Sequence, residues 1–200
     1  MSAEQGKVLL PIARAAISRA LGIPAPLSNS LPQAGERTNE KSNIQSSDET
    51  APWLAEPGAC FVTLTRQGEL RGCIGTLQAH RSLLDDVRSN AVSAALRDSR
   101  FTPLSATELD NTRIEISLLS PPQTMNFRNE GDALTQLRPH VDGVIFQCGQ
   151  HRSTFLPQVW EQLPQPLRFM AHLKQKAGLP ADFWSQEVKL SRYTVEKWKE

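Results

Sequence analysis

The sequence predicts an α+β fold, and three observations carry that reading. Residues 60–65 and 112–119 alternate apolar and polar side chains, as half-buried strands do. Residues 8–21, 83–95 and 166–177 repeat apolar residues at helical spacing. The two kinds of segment are interspersed, with at least one hairpin between strands, which suits α+β or a mixed sheet better than a doubly wound parallel sheet.

Taken in order, Val8, Leu9, Ile12, Ala13, Ala16, Ile17, Ala20 and Leu21 make the apolar stripe of a first helix, with Arg14 and Arg19 on its other face. An interior proline loses a hydrogen bond and clashes with the preceding turn. Pro11 therefore places the helix start near Leu9 or Leu10, and Gly22 and Pro24 end it. Residues 24–52 are dominated by Ser, Asn, Pro, Gln, Thr and Glu, with Leu27, Leu31 and Ile44 as their sizeable apolar residues. That is too little to offset the entropy of ordering, so a long flexible loop is expected there.

Val62 and Leu64 alternate with Thr63 and Thr65, residues 66–69 read as a turn, and residues 70–77 form a second extended run. Gly72 and Gly75 inside that run predict a bend or bulge. Ser82 caps a helix with Asp85 and Asp86 in its first turn, where carboxylates suit the dipole. Its buried stripe is Leu83, Leu84, Val87, Ala91, Ala94 and Ala95, and the alanines imply close packing on a sheet. Ser105 and Glu108 have capping-box spacing.

Residues 112–119 form a strand with Ile114, Ile116 and Leu118 on one face, stopped by Pro121 and Pro122. There follow a short helix at 131–137, a strand at 141–148, a turn at 149–152, a strand at 153–156 and a helix opened by Pro157. The helix at 166–177 turns Leu167, Met170, Ala171 and Leu173 inward, with Lys174 and Lys176 complementing the dipole at its end. A closing strand covers 188–198.

Composition excludes several classes. The 200 residues are 39% hydrophobic, and 22 Lys and Arg balance 21 Asp and Glu for a net charge of +1. A general nucleic-acid binder shows a basic excess, so nucleic acid is not an expected partner. No run approaches the roughly 20 apolar residues that cross a bilayer, and Arg14 breaks the early apolar run where a secretory signal would continue. Three cysteines without a C-x-x-C pair leave no full disulfide framework and no Cys-rich zinc site. A soluble, cytoplasmic chain is expected, with neither metal nor cofactor.

The chemistry-bearing segment is Leu70-Arg71-Gly72-Cys73-Ile74-Gly75-Thr76-Leu77. A thiol between two glycines is open to approach, and an adjacent guanidinium lowers a thiol's pKa if it lies near the sulfur. Neighbours on a strand face opposite ways, an alternation that a bulge relaxes. The competing reading is a small thiol packed where a larger residue would clash. Cys60 and Cys148 sit in apolar strand patterns and read as core thiols. Asp98 and Arg100 fit either a local ion pair that fixes the chain reversal, with Phe101 as anchor, or an anion clamp. Among four scattered histidines, His80 is the one that follows Cys73 closely enough to be considered as its base.

From about Ala59 onward the chain resembles the AMMECR-one domain family, whose bacterial and archaeal members are called protein A of the AmmeMemoRadiSam system. The resemblance rests on Gly68-Glu69-Leu70-Arg71-Gly72-Cys73-Ile74-Gly75 after Phe61-Val62-Thr63-Leu64. Ala94-Ala95, Asp98 with Arg100-Phe101, Ile114-Glu115-Ile116-Ser117, Asp142-Gly143-Val144, Phe155-Leu156-Pro157-Gln158-Val159 and Lys176-Ala177-Gly178-Leu179-Pro180 support it. Ser99 stands where the family usually has proline. The resemblance implies a curved mixed sheet with flanking helices, in two closely associated subdomains of one domain over residues 1–200. It further implies a site lined by Arg71, Gly72, Cys73, Ile74 and Gly75 in a cleft between them. Two partners are implied, a Memo-like protein related to dioxygenases and a radical-SAM protein.

Two functional classes stand side by side. In the first the chain is a partner or substrate-binding protein of that system, with Arg71, Gly72, Ile74, Gly75 and Arg100 contacting a small molecule or protein. In the second it is an enzyme in which Cys73 is the catalytic nucleophile or redox thiol, acting on a small anion held by Arg71 or Arg100 and by backbone N–H groups.

Overall fold

In the computed structural model, which describes residues 3–23 and 47–200, the first helix (α1) spans Ala3–Ala20 and carries Pro11 in its interior. The start expected near Leu9 is too late. Pro11 lies on the exposed side of the helix, as does Lys7, whose carbonyl loses its intrahelical donor. Burial of Leu9, Ile12, Ala13, Ala16 and Ile17 outweighs the roughly 3 kcal/mol that proline costs inside a helix. Residues 24–46 of the expected loop lie outside the described residues. Its last part is ordered: Ser47–Thr50 and Pro52–Leu54 form 3-10 turns. Arg88 holds the first of these through Glu49 at 2.8 Å.

The remaining elements, in chain order, are strands β1 (Ala59–Arg66) and β2 (Glu69–Gly75), helices α2 (Leu83–Leu96) and α3 (Ala106–Leu109), and strands β3 (Thr112–Leu119) and β4 (Gln123–Thr124). Helix α4 (Glu130–Gln136), strands β5 (Gly143–Cys148) and β6 (His151–Phe155), a 3-10 turn at Pro157–Glu161 where a longer helix was expected, helix α5 (Pro166–Lys176) and strands β7 (Lys189–Tyr193) and β8 (Val195–Lys199) complete the described chain. The α+β class holds. The strands form two antiparallel sheets, ordered β2-β1-β3-β8 and β4-β7-β5-β6, where one mixed sheet was expected.

The chain divides into two compact units, Met1–Ser117 with Lys197–Glu200, and Leu118–Glu196. In the first, α2 lies on β1 and β2, and α1 packs on α2. Val62 and Leu64 of β1, Val87, Ala91 and Ala94 of α2, and Ile114 and Ile116 of β3 form its core with the α1 stripe. The inward face of β3 changes after Ile116: Ser117 and Leu119 are buried, and the expected Leu118 is half-buried.

In the second unit Val144, Phe146, Trp160, Phe169, Met170, Leu173 and Leu190 make the core. Trp160 stacks on Phe169 at 3.7 Å and donates its indole N–H to the Asp142 carbonyl at 2.7 Å. Helix α5 buries Met170 and Leu173 as expected, but the rest of its inward face differs. Phe169 and Lys174 face inward, whereas Leu167 is 64% exposed. Lys174 is therefore a buried cation, bonded to Glu130 of α4 at 2.8 Å, and no surface partner of the dipole. The single closing strand expected over 188–198 is two, because Thr194 leaves the second sheet to exchange backbone and side-chain hydrogen bonds with Ser120.

Candidate functional site

The β1–β2 hairpin reverses at Gln67 and Gly68, both at positive φ, which is the two-residue turn that matches strand twist. Thr65 pairs with Leu70 and Leu64 with Gly72, so Arg71 is the extra residue of a bulge. The distortion falls just before residues 72–75, one residue earlier than expected. Released from the alternation, the Arg71 side chain is only 14% exposed. Its guanidinium reaches Glu108 at 3.3 Å through two nitrogens and the Thr102 carbonyl at 2.8 Å. It runs to Glu108, not to the Cys73 sulfur.

The two glycines serve close approach. Neither is among the positive-φ residues. A methyl on Gly72 would overlap the carbonyl oxygen of Ala94, so α2 lies directly on β2, as its alanines predict. A methyl on Gly75 would strike the ring of Phe61 and come within 2.7 Å of the Cys60 carbonyl oxygen. Phe61 is the register partner of Gly75 and Thr63 that of Cys73, so Phe61, Thr63, Cys73 and Gly75 share the face away from α2. Ile74 is half-buried opposite Val62.

Cys73 is half-buried, while Cys60 and Cys148 are buried, as their patterns predict. The Thr63 hydroxyl donates to the Cys73 sulfur at 3.3 Å. No imidazole or carboxylate hydrogen-bonds that sulfur among the described residues. His80 is an exposed surface residue, with Nδ1 3.0 Å from the Gln78 carbonyl, and the Cys–His pair considered for it is not formed.

Asp98 and Arg100 act on the backbone of Cys73. The Cys73 N–H donates to Asp98 at 2.9 Å, and Arg100 donates to the Cys73 carbonyl at 3.2 Å. Arg100 also grips Asp98 through Nε at 2.9 Å and Nη2 at 2.7 Å. These bonds, that from Arg100 foremost, hold the Asp98 carboxyl well below the usual range despite burial. Glu108 completes the predicted capping box by accepting the Ser105 N–H at 2.9 Å. That bond first, and Arg71 next, pull Glu108 down to about 2.

The sequence reading missed a buried polar cluster beside this site. Asp86, assigned to the helix dipole, is fully buried. It accepts from the Cys60 N–H (2.8 Å), the Thr76 hydroxyl (2.7 Å), Arg81 (2.8 Å) and Asn90 (2.9 Å). Asn90 also donates to the Cys60 carbonyl at 3.0 Å. Burial first, and the Asp86 charge next, push the Cys60 thiol far up, so it stays protonated. The signal was present: Asp86 and Asn90 lie four apart on the same stripe as Leu83, Val87 and Ala94. No three His, Cys, Asp or Glu side chains converge as a metal site would need among the described residues. No described helix is long and apolar enough to cross a membrane.

Fold and site together define an α+β protein built around a glycine-bracketed cysteine on an edge strand. The family profile described as AMMECR1 matches residues 31–198, and the chain belongs to that family. A protein of Methanothermobacter thermautotrophicus is 31% identical over 202 residues, covering 100% of this chain and 96% of its own. Protein MJ0810 of Methanocaldococcus jannaschii is 36% identical over 149 residues, covering 72% and 74%. The crystal structure of the uncharacterized protein PH0010 from Pyrococcus horikoshii superposes with a TM-score of 0.74 at 29% identity, covering 100% of this chain and 93% of that one.

Proposed function

We propose that the chain is a recognition component of a three-protein system, binding a Memo-like protein and a radical-SAM protein through the face that carries Thr63 and Cys73. One observation carries the reading: the groups that would make Cys73 a nucleophile are committed elsewhere. Its sulfur has a hydroxyl donor for a neighbour and, among the described residues, no base. The guanidinium of Arg71 is held by Glu108, and that of Arg100 by Asp98. What is left is a half-buried, largely uncharged strand surface of Phe61, Thr63, Thr65 and Cys73, suited to contact more than to bond making. Three free cysteines fit a cytoplasmic setting.

The test is titration calorimetry of the chain against each purified partner. Thr63→Arg should abolish binding without lowering the melting temperature, and Cys73→Ser should retain it. A wild-type chain that binds neither partner would overturn the proposal. Cys73→Ser that folds and binds yet stops the system's output would replace it with thiol catalysis, which the greater exposure of Cys73 among the three thiols favours.

A further inference from the structure

Strand β2 ends the first sheet, with β1 as its neighbour on one side. The backbone N–H and carbonyl of an edge strand's outward residues form a template on which another strand can add. At Cys73 both groups point away from β1, and both are occupied. Asp98 accepts the N–H at 2.9 Å and Arg100 donates to the carbonyl at 3.2 Å. One acceptor and one donor, side by side, are what a residue of an added strand would offer. The mimic is fastened. Asp98 is 6% exposed and takes the Arg100 backbone N–H at 3.2 Å as well as its guanidinium. Phe101 donates its N–H to the Asp98 carbonyl at 3.0 Å, and the Arg100 guanidinium stands 5.4 Å from the Phe101 ring centre.

The strand also has a reason to need closing. Leu70 and Leu77, at 42% and 37% exposure, bracket the Cys73 segment. Glycines on both sides of Cys73 leave little side chain to hold off a neighbour.

We infer that Asp98 and Arg100 are an intramolecular strand mimic, an autoinhibitory contact that closes the β2 edge to a second copy of this chain. The inference is independent of the partner-binding proposal, which concerns the face of the sheet and not its edge. Two copies paired antiparallel about Cys73 would exchange the N–H and carbonyl bonds now made by Asp98 and Arg100. Their Cys73 Cα atoms would lie about 5.5 Å apart, within disulfide range.

The test is the oligomeric state of the full chain by light scattering across concentration. Asp98→Ala/Arg100→Ala should dimerise at a concentration at least tenfold below any dimerisation of the wild type. Diamide, which takes up the two electrons and two protons released, should trap that dimer through Cys73. Adding Cys73→Pro, which removes the outward N–H of an edge residue, should restore the monomer. A folded double variant that stays monomeric overturns the inference, and so does a dimer that survives Cys73→Pro. If the double variant does not fold, Arg100→Ala is read instead, since it frees the Cys73 carbonyl and removes the guanidinium that fastens Asp98 over the Cys73 N–H. It should dimerise at a lower concentration than wild type, and unchanged association overturns the inference.

Discussion

Gly72 shows how one hydrogen atom decides where a helix can lie. Because Ala94 sits directly above it, Gly72→Ala should lower stability by about 1–3 kcal/mol in urea unfolding, as overpacking does. Gly131→Ala is the control: its methyl would meet only Asn129 at 3.4 Å, so stability should hold or rise. Glu108 supports a pH experiment. Its carboxyl has an ordinary value of 4.5 and is drawn down to about 2 in the fold, so its contribution is present in full above pH 4.5 and is lost as pH falls towards 2. Glu108→Gln should flatten the fall of stability across that window, measured by thermal unfolding at each pH. At this scale the importance of residues 70–77 was legible, because two glycines in a strand pattern require an explanation. The partners of Arg71 were not, because a bulge at Arg71 itself, set by the pairing with β1, decided where its side chain went. The Asp86 cluster was hidden behind an equally good local reading, the helix dipole.

Among the elements, α5 is the informative case. Leu167 was expected inside and Lys174 outside, yet the core took Phe169 and left Leu167 in water. Met170 and Leu173 fit either phase, so periodicity on an eleven-residue helix does not choose between Leu167 and Phe169. The choice falls to the Trp160–Phe169 stack, a tertiary contact that periodicity does not contain. Burying Lys174 then requires Glu130. Glu130→Ala should cost about 3–5 kcal/mol by stranding the cation, and Glu130→Ala/Lys174→Met should recover most of it. Equal losses in single and double variants, by urea unfolding, would mean that α4 depends on other contacts. Strand existence was read well over residues 59–75 and 112–119, where alternation is clean. The break at Thr194 was not, since β7 and β8 read as one extended run and only their sheet partners separate them.

For the whole molecule, the α+β class followed from the interspersed periods, while the division into two antiparallel sheets depended on pairings between distant segments. Glu200 illustrates this. Its carboxylate is gripped by Arg14 of α1, through Nε at 2.7 Å and through Nη2, and also accepts the Ile114 N–H of β3 at 3.1 Å. Nothing local in the sequence marks it as structural. Glu200→Ala should remove about 1–3 kcal/mol, read by thermal unfolding, with exchange of the Ile114 amide speeding up.

The first unit is discontinuous, and that has a consequence for biosynthesis. About 80 residues separate Ser117 from the returning segment Lys197–Glu200. At about 5–20 residues per second, the ribosome takes roughly 4–16 s to supply them. Throughout that interval the nascent chain holds β3 without β8, and α1 without the Trp198 indole that its Gly6 accommodates. The first unit to emerge is thus the last to be completed, and its unfinished β3 edge is the surface that a chaperone at the tunnel exit would meet.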